Sequence, residues 1–377
     1  MSKKAYIGVD GVGKAVKKGY IGVDNVARRI KKAYIGIGGV ARPCWSDGKL
    51  EYYGTAADFS VKKHDTAATT VGSYALFGGG SDGTTGGAVS AAVDAYSTSL
   101  TKATVGALSV ARKEFAATSV GDYALFGGGY HPVDGSLFFS SVVDAYSKSL
   151  TQNTPMVLTV GRGHLAATTI GNHALFGGGT TTEARSNTVD AYDTSLTRSI
   201  PTALSVERQH LAATTVGDYA IFAGGLGHDE VDAYNKALTR TKATALSQER
   251  GNMATAAVGN YALFGGGDNS AGFAPFYSNL DAYGTSLTRT IPTALSAARS
   301  SFAASNVGGY ALFGGGRNSD GYKAIVDAYD VSLTRTLPTG LSEARYSVSA
   351  TTIGDYALFG GGYADSGNCA TVDVYTV

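Results

Sequence analysis

Short apolar runs, separated by polar and glycine-rich stretches, recur along most of this chain. Each run reads YALF or a near copy and ends in two or three glycines. Each is followed further along the chain by V-D-A-Y or a near copy. Apolar runs of this length, bounded by turn residues, predict β-strands rather than helices.

The glycine-terminated run occurs seven times at a regular interval. Measured from the Phe before the glycines, the steps are 49, 50, 46, 42, 49 and 46 residues; the seven positions are Phe77, Phe126, Phe176, Phe222, Phe264, Phe313 and Phe359. A repeat of this size indicates a repeat architecture. Gly accounts for 52 of 377 residues and Pro for only 7, so the glycine excess belongs to the repeats and not to a disordered segment.

One unit, from Leu165 to His210, predicts four strands. LAATT is small and apolar, which suits a crowded innermost strand; a tight turn at Gly171-Asn172 leads into HALF as the second strand. VDAY is the predicted third strand, and SLTRSIPTAL contains the outer fourth. Four short strands per unit at this spacing are typical of a propeller blade.

These residues resemble a known repeat. A strand with a diglycine, an acidic-Ala-Tyr strand and an Arg before the next unit is similar to the kelch repeat, over residues 50–377. Kelch repeats carry a Trp in the outer strand, and here a Leu is expected in its place: Leu100, Leu150, Leu196, Leu238, Leu287 and Leu333. The resemblance implies an all-β, seven-bladed kelch-type propeller of four-stranded blades.

The last unit stops after its third strand, VDVYTV, and the start of the array supplies what it lacks. LEYYGTAADFSVKKHD aligns with LTKATVGALSVARKE, a segment that follows a third strand elsewhere. We therefore predict that Leu50 to about Phe59 completes the last blade and closes the ring, which leaves little sheet edge exposed.

A shorter repeat of 14 residues precedes the blades, in three copies that begin at Lys3, Lys17 and Lys31. The turn signals Asp10-Gly11, Asp24-Asn25 and Gly38-Gly39 predict hairpins, joined as a meander of strands of about five residues. We predict two domains: a small basic β-hairpin module at 1–45 and the propeller at 46–377.

The net charge of +1 hides a split, because residues 1–44 carry ten Lys and Arg against two Asp, and the remainder carries 21 basic and 28 acidic residues. The basic module either protects strand edges with solvated Lys or meets an acidic partner or copies of itself. Nucleic acid is the weakest candidate for an acidic partner, since the aromatic residues of the module are typical of a β-sheet core. The candidate attachment residues are Lys3, Lys4, Lys17, Lys18, Arg28, Arg29, Lys31, Lys32, Tyr6, Tyr20 and Tyr34.

Cys44 and Cys369 are the only cysteines, so neither a disulfide framework nor a zinc motif is expected. The start, MSKKAYIGVD, lacks the apolar region of a secretory signal, and no stretch of about 18 apolar residues is available for a membrane span. These features predict synthesis in a reducing cytoplasm.

An Arg and an Asp recur once per blade. The Arg set is Arg112, Arg162, Arg208, Arg250, Arg299 and Arg345, with Lys63 in the seventh place; the Asp set is Asp94, Asp144, Asp190, Asp232, Asp281, Asp327 and Asp373. A ligand-binding role is one interpretation, because each residue recurs once per blade. Residues that every blade needs are better explained by hydrogen bonds or ion pairs that hold the blades.

Motifs for catalysis are weak. The histidines lack metal-ligand spacing such as HExxH, and no glycine run has the context of a phosphate loop. His64, His164 and His210 follow the repeated Arg or Lys by one or two residues, which predicts a shared structural role. We expect no enzyme, no metal and no cofactor.

The loops after the glycines are the variable part of each unit, and equivalent loops must emerge on one face. Exposed loop aromatics mark recognition surfaces. The candidate ligand-binding residues are Tyr130, His131, Phe138, Phe139, Phe273, Phe276, Tyr277, Tyr322 and Tyr363.

The AYIGV-turn-VAR repeats resemble segments at the start of structural proteins of phages that infect Gram-positive bacteria. The resemblance implies a virion protein of the tail or capsid, made in the host cytoplasm, attached through residues 1–45 and present in many copies. Its propeller would bind a host-surface protein or glycan. Two alternatives remain open: a decoration protein that cements the particle, and a propeller that binds a small anionic molecule in its channel.

Overall fold

The computed structural model describes residues 48–82, 88–133, 136–269 and 274–377, together with the backbone of six strands between residues 6 and 46. Every regular element in these ranges is a β-strand. Seven antiparallel sheets of four strands follow one another along the chain, so the predicted seven-bladed β-propeller is confirmed.

In each blade the four strands are ordered from the central channel outward as inner, second, third and outer strand. In the order of blades 1 to 7, the inner strands are Ala67–Val71, Ala116–Val120, Ala166–Ile170, Ala212–Val216, Ala254–Val258, Ala303–Val307 and Ser349–Ile353. The second strands are Tyr74–Gly78, Tyr123–Gly127, His173–Gly177, Tyr219–Gly225, Tyr261–Gly265, Tyr310–Gly314 and Tyr356–Gly360. The third strands are Val93–Ser97, Val143–Ser147, Val189–Asp193, His228–Tyr234, Leu280–Gly284, Val326–Asp330 and Val372–Thr376.

The outer strands are Lys102–Ala103, Gln152–Asn153, Arg198–Ser199, Arg240–Lys242, Arg289–Thr290, Arg335–Thr336 and, in blade 7, Glu51–Ala56. Outside blade 7 they are only two or three residues long, shorter than SLTRSIPTAL suggested. Three small hairpins extend the loops: Tyr130–Val133 with Ser136–Phe139, Arg317–Asn318 with Gly321–Tyr322, and Tyr363–Ala364 with Gly367–Asn368.

The ring closes as predicted. Glu51–Ala56 pairs antiparallel with Val372–Thr376 as the outer strand of blade 7, and the inner strand of blade 7 lies against that of blade 1. Phe59 then enters the seam: its amide donates to the carbonyl of Ala370 at 2.8 Å, and its ring lies 5.1 Å from that of Phe77. The closing segment therefore contributes both a strand and core packing.

The repeated Leu does not lie on the outer strand. Leu196 and its equivalents occupy the turn before it, with φ near +60° in six blades, because the S-L-T segment reverses the chain within a few residues. The Leu196 side chain packs into the apolar cluster between blades 2 and 3. The expected replacement of an outer-strand Trp is thus wrong in position, although the residue does pack.

The apolar core lies between consecutive blades. In one cluster, Phe176 and Tyr192 of blade 3 pack against Val120, Leu125 and other apolar residues of blade 2. The two rings meet edge to face at 6.0 Å, and the Tyr192 hydroxyl donates to the carbonyl of Met156 at 2.7 Å. Each blade is therefore stable only against its neighbours, as expected for stacked repeats.

The glycine run lets the next blade approach. A Cβ built on Gly127 would lie 2.8 Å from the Phe176 ring of blade 3, and one on Gly128 would lie 2.6 Å from the carbonyl oxygen of Arg162. Gly128 also has φ of +76°, in the left-handed region. Blade 4 carries Ala223 at the position of Gly127, so only the later glycines are needed for their backbone conformation.

A buried ion pair joins each blade to the one before it. The pairs are Lys63–Asp94 at 3.2 Å, Arg112–Asp144 at 2.7 Å, Arg162–Asp190 at 2.7 Å, Arg208–Asp232 at 2.9 Å, Arg250–Asp281 at 2.6 Å, Arg299–Asp327 at 2.8 Å and Arg345–Asp373 at 2.6 Å. All seven cationic side chains are fully buried. The structural interpretation of both repeated residues is confirmed.

Arg162 shows how the pair acts as a clamp. Its backbone belongs to blade 2, because its carbonyl accepts from Gly129 at 2.9 Å and its amide donates to Ser140 at 3.2 Å. Its guanidinium belongs to blade 3, where it donates to the carbonyl of Phe176 at 3.1 Å and to Asp190 at 2.7 Å. One residue therefore satisfies groups of two blades.

The N-terminal repeats form hairpins at the predicted turns. They pair Tyr6–Val9 with Val12–Ala15, Gly19–Val23 with Val26–Ile30, and Lys32–Ile37 with Val40–Ser46. Each hairpin is a separate two-stranded sheet, so the predicted continuous meander is wrong. Of the attachment candidates, Tyr6, Tyr20, Arg28, Arg29, Lys32 and Tyr34 lie on these strands, and Lys3, Lys4, Lys17, Lys18 and Lys31 lie outside the described residues.

Substitution of Gly127 and Gly128 by Ala should lower the free energy of unfolding by different amounts. Gly128→Ala forces an L residue into the left-handed region, which costs about 1–2 kcal/mol by itself, and brings its Cβ against a backbone carbonyl. Gly127→Ala only displaces a ring, as Ala223 shows is tolerated, and should cost about 1 kcal/mol. Guanidinium unfolding checks the order; equal losses for the two variants would contradict it.

Asp190→Asn should destabilise the protein strongly. The buried guanidinium of Arg162 would lose its counter-charge, and breaking a buried pair in this way costs about 3–5 kcal/mol. Asp218→Asn is the matched control, because Asp218 lies 2.6 Å from Lys236 but both side chains are mostly exposed; such pairs contribute roughly 0–1 kcal/mol. Similar unfolding free energies for the two variants would refute the clamp.

Candidate functional site

Seven polar residues surround one mouth of the central channel. Each lies two positions after the repeated Arg or Lys and just before an inner strand, and each has φ between 51° and 55°. We call them the mouth ring: Asp65, Glu114, His164, His210, Asn252, Ser301 and Ser347. Left-handed backbone is uncommon outside glycine, so its recurrence here in every blade needs a cause.

The cause is a belt of backbone hydrogen bonds. The amide of His210 donates to the carbonyl of His164, and the amide of His164 to that of Glu114, each at 3.0 Å. The same bond links Asn252, Ser301, Ser347 and Asp65 to the preceding blade at 2.7–3.4 Å. At these six of the seven positions the left-handed turn aims the amide along the circumference, so the mouth is fixed mainly by the main chain and its side chains are free to differ.

An apolar ring lies directly below the mouth ring. It consists of Thr66, Phe115, Leu165, Leu211, Met253, Phe302 and Val348, of which the six apolar members are buried. Together the two rings enclose an open cavity of about 520 Å³. Its volume falls in the range of roughly 300–1,000 Å³ typical of small-molecule sites.

The channel continues below this cavity between the inner strands. Hydroxyls line its wall and bond across the blades: Thr118 to Thr169 at 2.7 Å and Thr168 to Thr215 at 2.8 Å. These hydroxyls are engaged with one another, so this part of the channel is mainly a seam between blades.

Glu114, His164 and His210 form a continuous polar side of the mouth. Glu114 Oε2 lies 2.6 Å from His164 Nε2, and the two imidazole centroids are 3.9 Å apart. Burial, reinforced by the charge of Asp65, raises the pKa of Glu114 to about 7. Burial, reinforced by His210, lowers the pKa of His164 to about 3. The imidazole is therefore neutral at neutral pH.

Asn252 extends this side. Its Oδ1 lies 2.8 Å from His210 Nδ1, and its amide nitrogen donates to both carboxylate oxygens of Asp268 at 3.2 and 3.3 Å. Burial lowers the pKa of His210, although Asn252 and nearby acidic groups oppose the change. The carboxylate behind Asn252 fixes the orientation of its amide.

The other side of the mouth combines aromatic rings with a cation. Ser301 and Ser347 are small, and Tyr346 and Arg317 occupy the space beside them. The Arg317 guanidinium lies 4.7 Å from the Tyr346 ring centroid, a distance at which cation and ring attract each other. Tyr322 and Tyr363 complete the cluster, with centroids 4.9 and 5.8 Å from that of Tyr346.

The variable loops open on the same face as this mouth. In six blades the residue after the glycine run forms a β-bridge with the residue before the mouth-ring position, as in Lys113 with Tyr130, Ser300 with Arg317, and Tyr346 with Tyr363. In blade 4 the amide of Leu226 donates to the carbonyl of Gln209 at 3.1 Å. Loops and mouth therefore form one surface, which we call the loop face.

The candidate residues of blade 2 lie on one hairpin of the loop face. Tyr130 reaches the mouth, where its hydroxyl donates to Glu114 Oε1 at 3.1 Å. His131 stacks beside Phe138 at 6.3 Å, and Phe138 is 46% exposed. Phe139 packs inward against Tyr130. Phe138 is thus the one of the four that presents an exposed apolar ring.

The remaining candidates divide into two groups. Tyr322 and Tyr363 meet around Tyr346, which was not among the predicted residues. Phe276 bridges Asp268, and Tyr277 donates its amide to Gly267 at 2.9 Å, so both are half-buried at the base of their loop. Phe273 lies outside the described residues.

The histidines were predicted to share one structural role. His164 and His210 share a backbone role, because the amide of each donates to the preceding blade, and their side chains line the cavity. His64 lies one position earlier in its unit, and its ring nitrogen hydrogen-bonds to Asn368 at 2.7 Å. The signal was in the sequence: between the Arg or Lys and the apolar residue, the second position is polar in all seven units and varies from unit to unit.

Among the residues described, no group of three His, Cys, Asp or Glu side chains is placed to hold a metal ion. Within the same ranges, no helix has the length and apolar character of a membrane span.

Comparisons with known proteins give the fold and little else. No family model matches the sequence, and no curated protein matches it. The structure is similar to the solved structure of YjhT, with a TM-score of 0.58 and 11% sequence identity, over 85% of this chain and 97% of that one. An identity this low shows a shared propeller fold alone. The kelch and phage resemblances stay predictions.

His164 should give the protein an acid-side instability. Its pKa is about 3 in the folded state against the ordinary 6.5, so between these values the unfolded chain binds more protons. Stability then falls as pH falls, by at most about 1.4 kcal/mol per pH unit. Compared in a Glu114→Gln background, which removes the opposing titration, His164→Gln should flatten this loss. Unfolding curves over that pH window with identical slopes for the two proteins would refute a buried neutral His164.

Proposed function

We propose that this chain is a non-enzymatic component of a phage particle, and that its propeller is a recognition disc for a host-surface ligand. The basic hairpins at 1–45 attach the chain to other virion proteins. The loop face meets the host.

One observation carries the recognition role. Each blade repeats the same ion pair, glycines and core rings, and the differences between blades are concentrated in the mouth ring and the loops beside it. Residues that hold the blades together can be the same in every blade, whereas a surface that recognises a particular ligand needs different side chains in different blades. Both variable elements lie on one face, and binding residues are commonly found on loops held by a rigid scaffold.

The composition of that face supports binding as well. It combines an exposed ring at Phe138, a Tyr cluster around Tyr346, and a cavity with neutral imidazoles, an amide and carboxylates. Concave sites of this kind, with a few placed polar groups, suit ligands held by several hydrogen bonds. The attachment role has a different support, which is the concentration of basic charge within residues 1–44.

Glycoside hydrolysis is a second candidate. It is favoured by a specific feature, the pKa of Glu114 raised to about 7 by burial and by the nearby Asp65, because two carboxylates in one cavity are the usual catalytic groups for that reaction. Release of free sugar from cell-wall glycans, abolished by Glu114→Gln, would establish it in place of binding alone.

The recognition disc predicts a face-specific loss of binding. Fluorescently labelled full-length protein should bind cells of a susceptible Gram-positive host, and Phe138→Ala together with Tyr322→Ala should weaken binding about tenfold or more, as for interface anchors. Asp218→Asn, on the opposite face, should bind like the parent protein. Flow cytometry over a range of protein concentrations gives the comparison.

Other results would point elsewhere. The decoration role would be favoured if the protein is present in particles, particles that lack it fall apart, and the purified protein binds no cells. Absence of the protein from purified particles by mass spectrometry would refute the virion assignment altogether.

A further inference from the structure

We propose that the mouth cavity binds the terminal unit of a neutral saccharide, held end-on at the channel axis. This inference rests on the proposed recognition function and names its ligand class. The surrounding loop face would contact the rest of the glycan, and the mouth would select its end.

The hydrogen-bonding groups of the mouth suit hydroxyls. A sugar hydroxyl both donates and accepts, so it needs partners of both kinds. His164 and His210 are partly buried imidazoles. One ring nitrogen of each already faces a neighbour, Glu114 or Asn252, so each has one nitrogen left to donate to or accept from a ligand. Ser301 and Ser347 provide hydroxyls, and the Asn252 side-chain oxygen, held in orientation because its amide nitrogen donates to Asp268, has a second lone pair. These groups are spread around the circumference, as the hydroxyls are around a pyranose.

The lower wall of the cavity, formed by the apolar ring, suits the carbon skeleton of the same ligand. Six apolar side chains form the ring below the polar one, each 7–9% exposed, so they present a shallow apolar surface to the cavity. A pyranose carries C–H groups on its faces and hydroxyls at its edges. A polar rim above an apolar floor matches that distribution better than it matches a fully charged ion or a fully apolar molecule.

Charge argues for a neutral ligand. Asp65 and Glu114 are adjacent members of the mouth ring, and the Asp65 charge acts on Glu114 strongly enough to contribute to its raised pKa. An anionic group near them would meet like charge. Against these two carboxylates, Arg317 is the one Arg or Lys among the described residues that line the cavity. A small anion in the channel, one of the alternatives from the sequence, is therefore disfavoured at this mouth.

The test compares two ligands that differ at one carbon. Methyl glucoside and methyl glucuronide share a ring, and the second carries a carboxylate in place of the C6 hydroxymethyl group; the methyl glycosides of galactose and N-acetylglucosamine widen the neutral panel. Saturation-transfer NMR and calorimetry with the full-length protein should show at least one neutral glycoside bound and the glucuronide bound more weakly.

The matching variants are Asn252→Gly and His210→Gly. Glycine accepts φ near +50° without strain, so each variant removes one mouth side chain and leaves the backbone belt in place. Each should weaken the bound glycoside about tenfold or more, since it removes a partly buried hydrogen-bonding group. Asp218→Asn should leave monosaccharide binding unchanged, because Asp218 does not line the cavity.

The outcomes separate this inference from the function on which it rests. Cell binding with no neutral glycoside bound, with the glucuronide preferred, or with glycoside binding untouched in both glycine variants would overturn the saccharide mouth and leave the recognition disc standing. If Phe138→Ala with Tyr322→Ala loses cell binding and glycoside binding stays intact, both the recognition disc and the saccharide mouth are supported.

Discussion

The propeller depends on burying one cation between each pair of consecutive blades. The side chain of Arg162 neutralises Asp190 and caps a strand carbonyl in blade 3, while its backbone completes the glycine turn of blade 2. A buried charge is costly unless it is paired and hydrogen-bonded, so the arrangement is favourable only when both blades are in place. Blade 1 meets the same requirement with Lys63 in place of the Arg. A second cation, Lys102, lies 2.7 Å from Asp94, and four other blades have an Arg 3.5–3.8 Å from the equivalent Asp. Burial alone would raise the pKa of Asp94, and the two lysines hold it below its usual range.

The clamp and the mouth are linked through two residues of chain. Because the Arg side chain and backbone are both fixed, the chain leaves it at a defined place and direction, and the left-handed residue that follows delivers its amide to the neighbouring blade. The strain of that conformation is offset by the hydrogen bond it makes. Strain of this kind is commonly found at functional sites, and here it brings seven side chains to one axis.

Much of the frame was predictable from the sequence, and the site was not. Periodicity gave the blades, and the alignment of LEYYGTAADF with a following-strand segment gave the closure, because both depend on local patterns that recur. The left-handed turns at Leu196 and His164 were missed since φ > 0 is expected of Gly and Asn and neither residue is one. The contact between His164 and Glu114 was missed for a different reason: the two are 50 positions apart, and only the curvature of the ring brings them together. Of the predicted loop aromatics, Tyr130, Phe138, Tyr322 and Tyr363 lie on the loop face, and Tyr346, around which two of them meet, was overlooked because it lies in the segment that follows the repeated Arg.

The belt of backbone bonds around the mouth has an evolutionary consequence. Since the belt uses no side chains, each blade contributes one mouth side chain whose identity can change without a change in the backbone. The left-handed conformation restricts the choice, because it disfavours β-branched residues, and none of the seven is Val, Ile or Thr. If the mouth binds a ligand as proposed, recombination between near-identical repeats would exchange these side chains as whole blades and change the ligand preference without any blade having to refold.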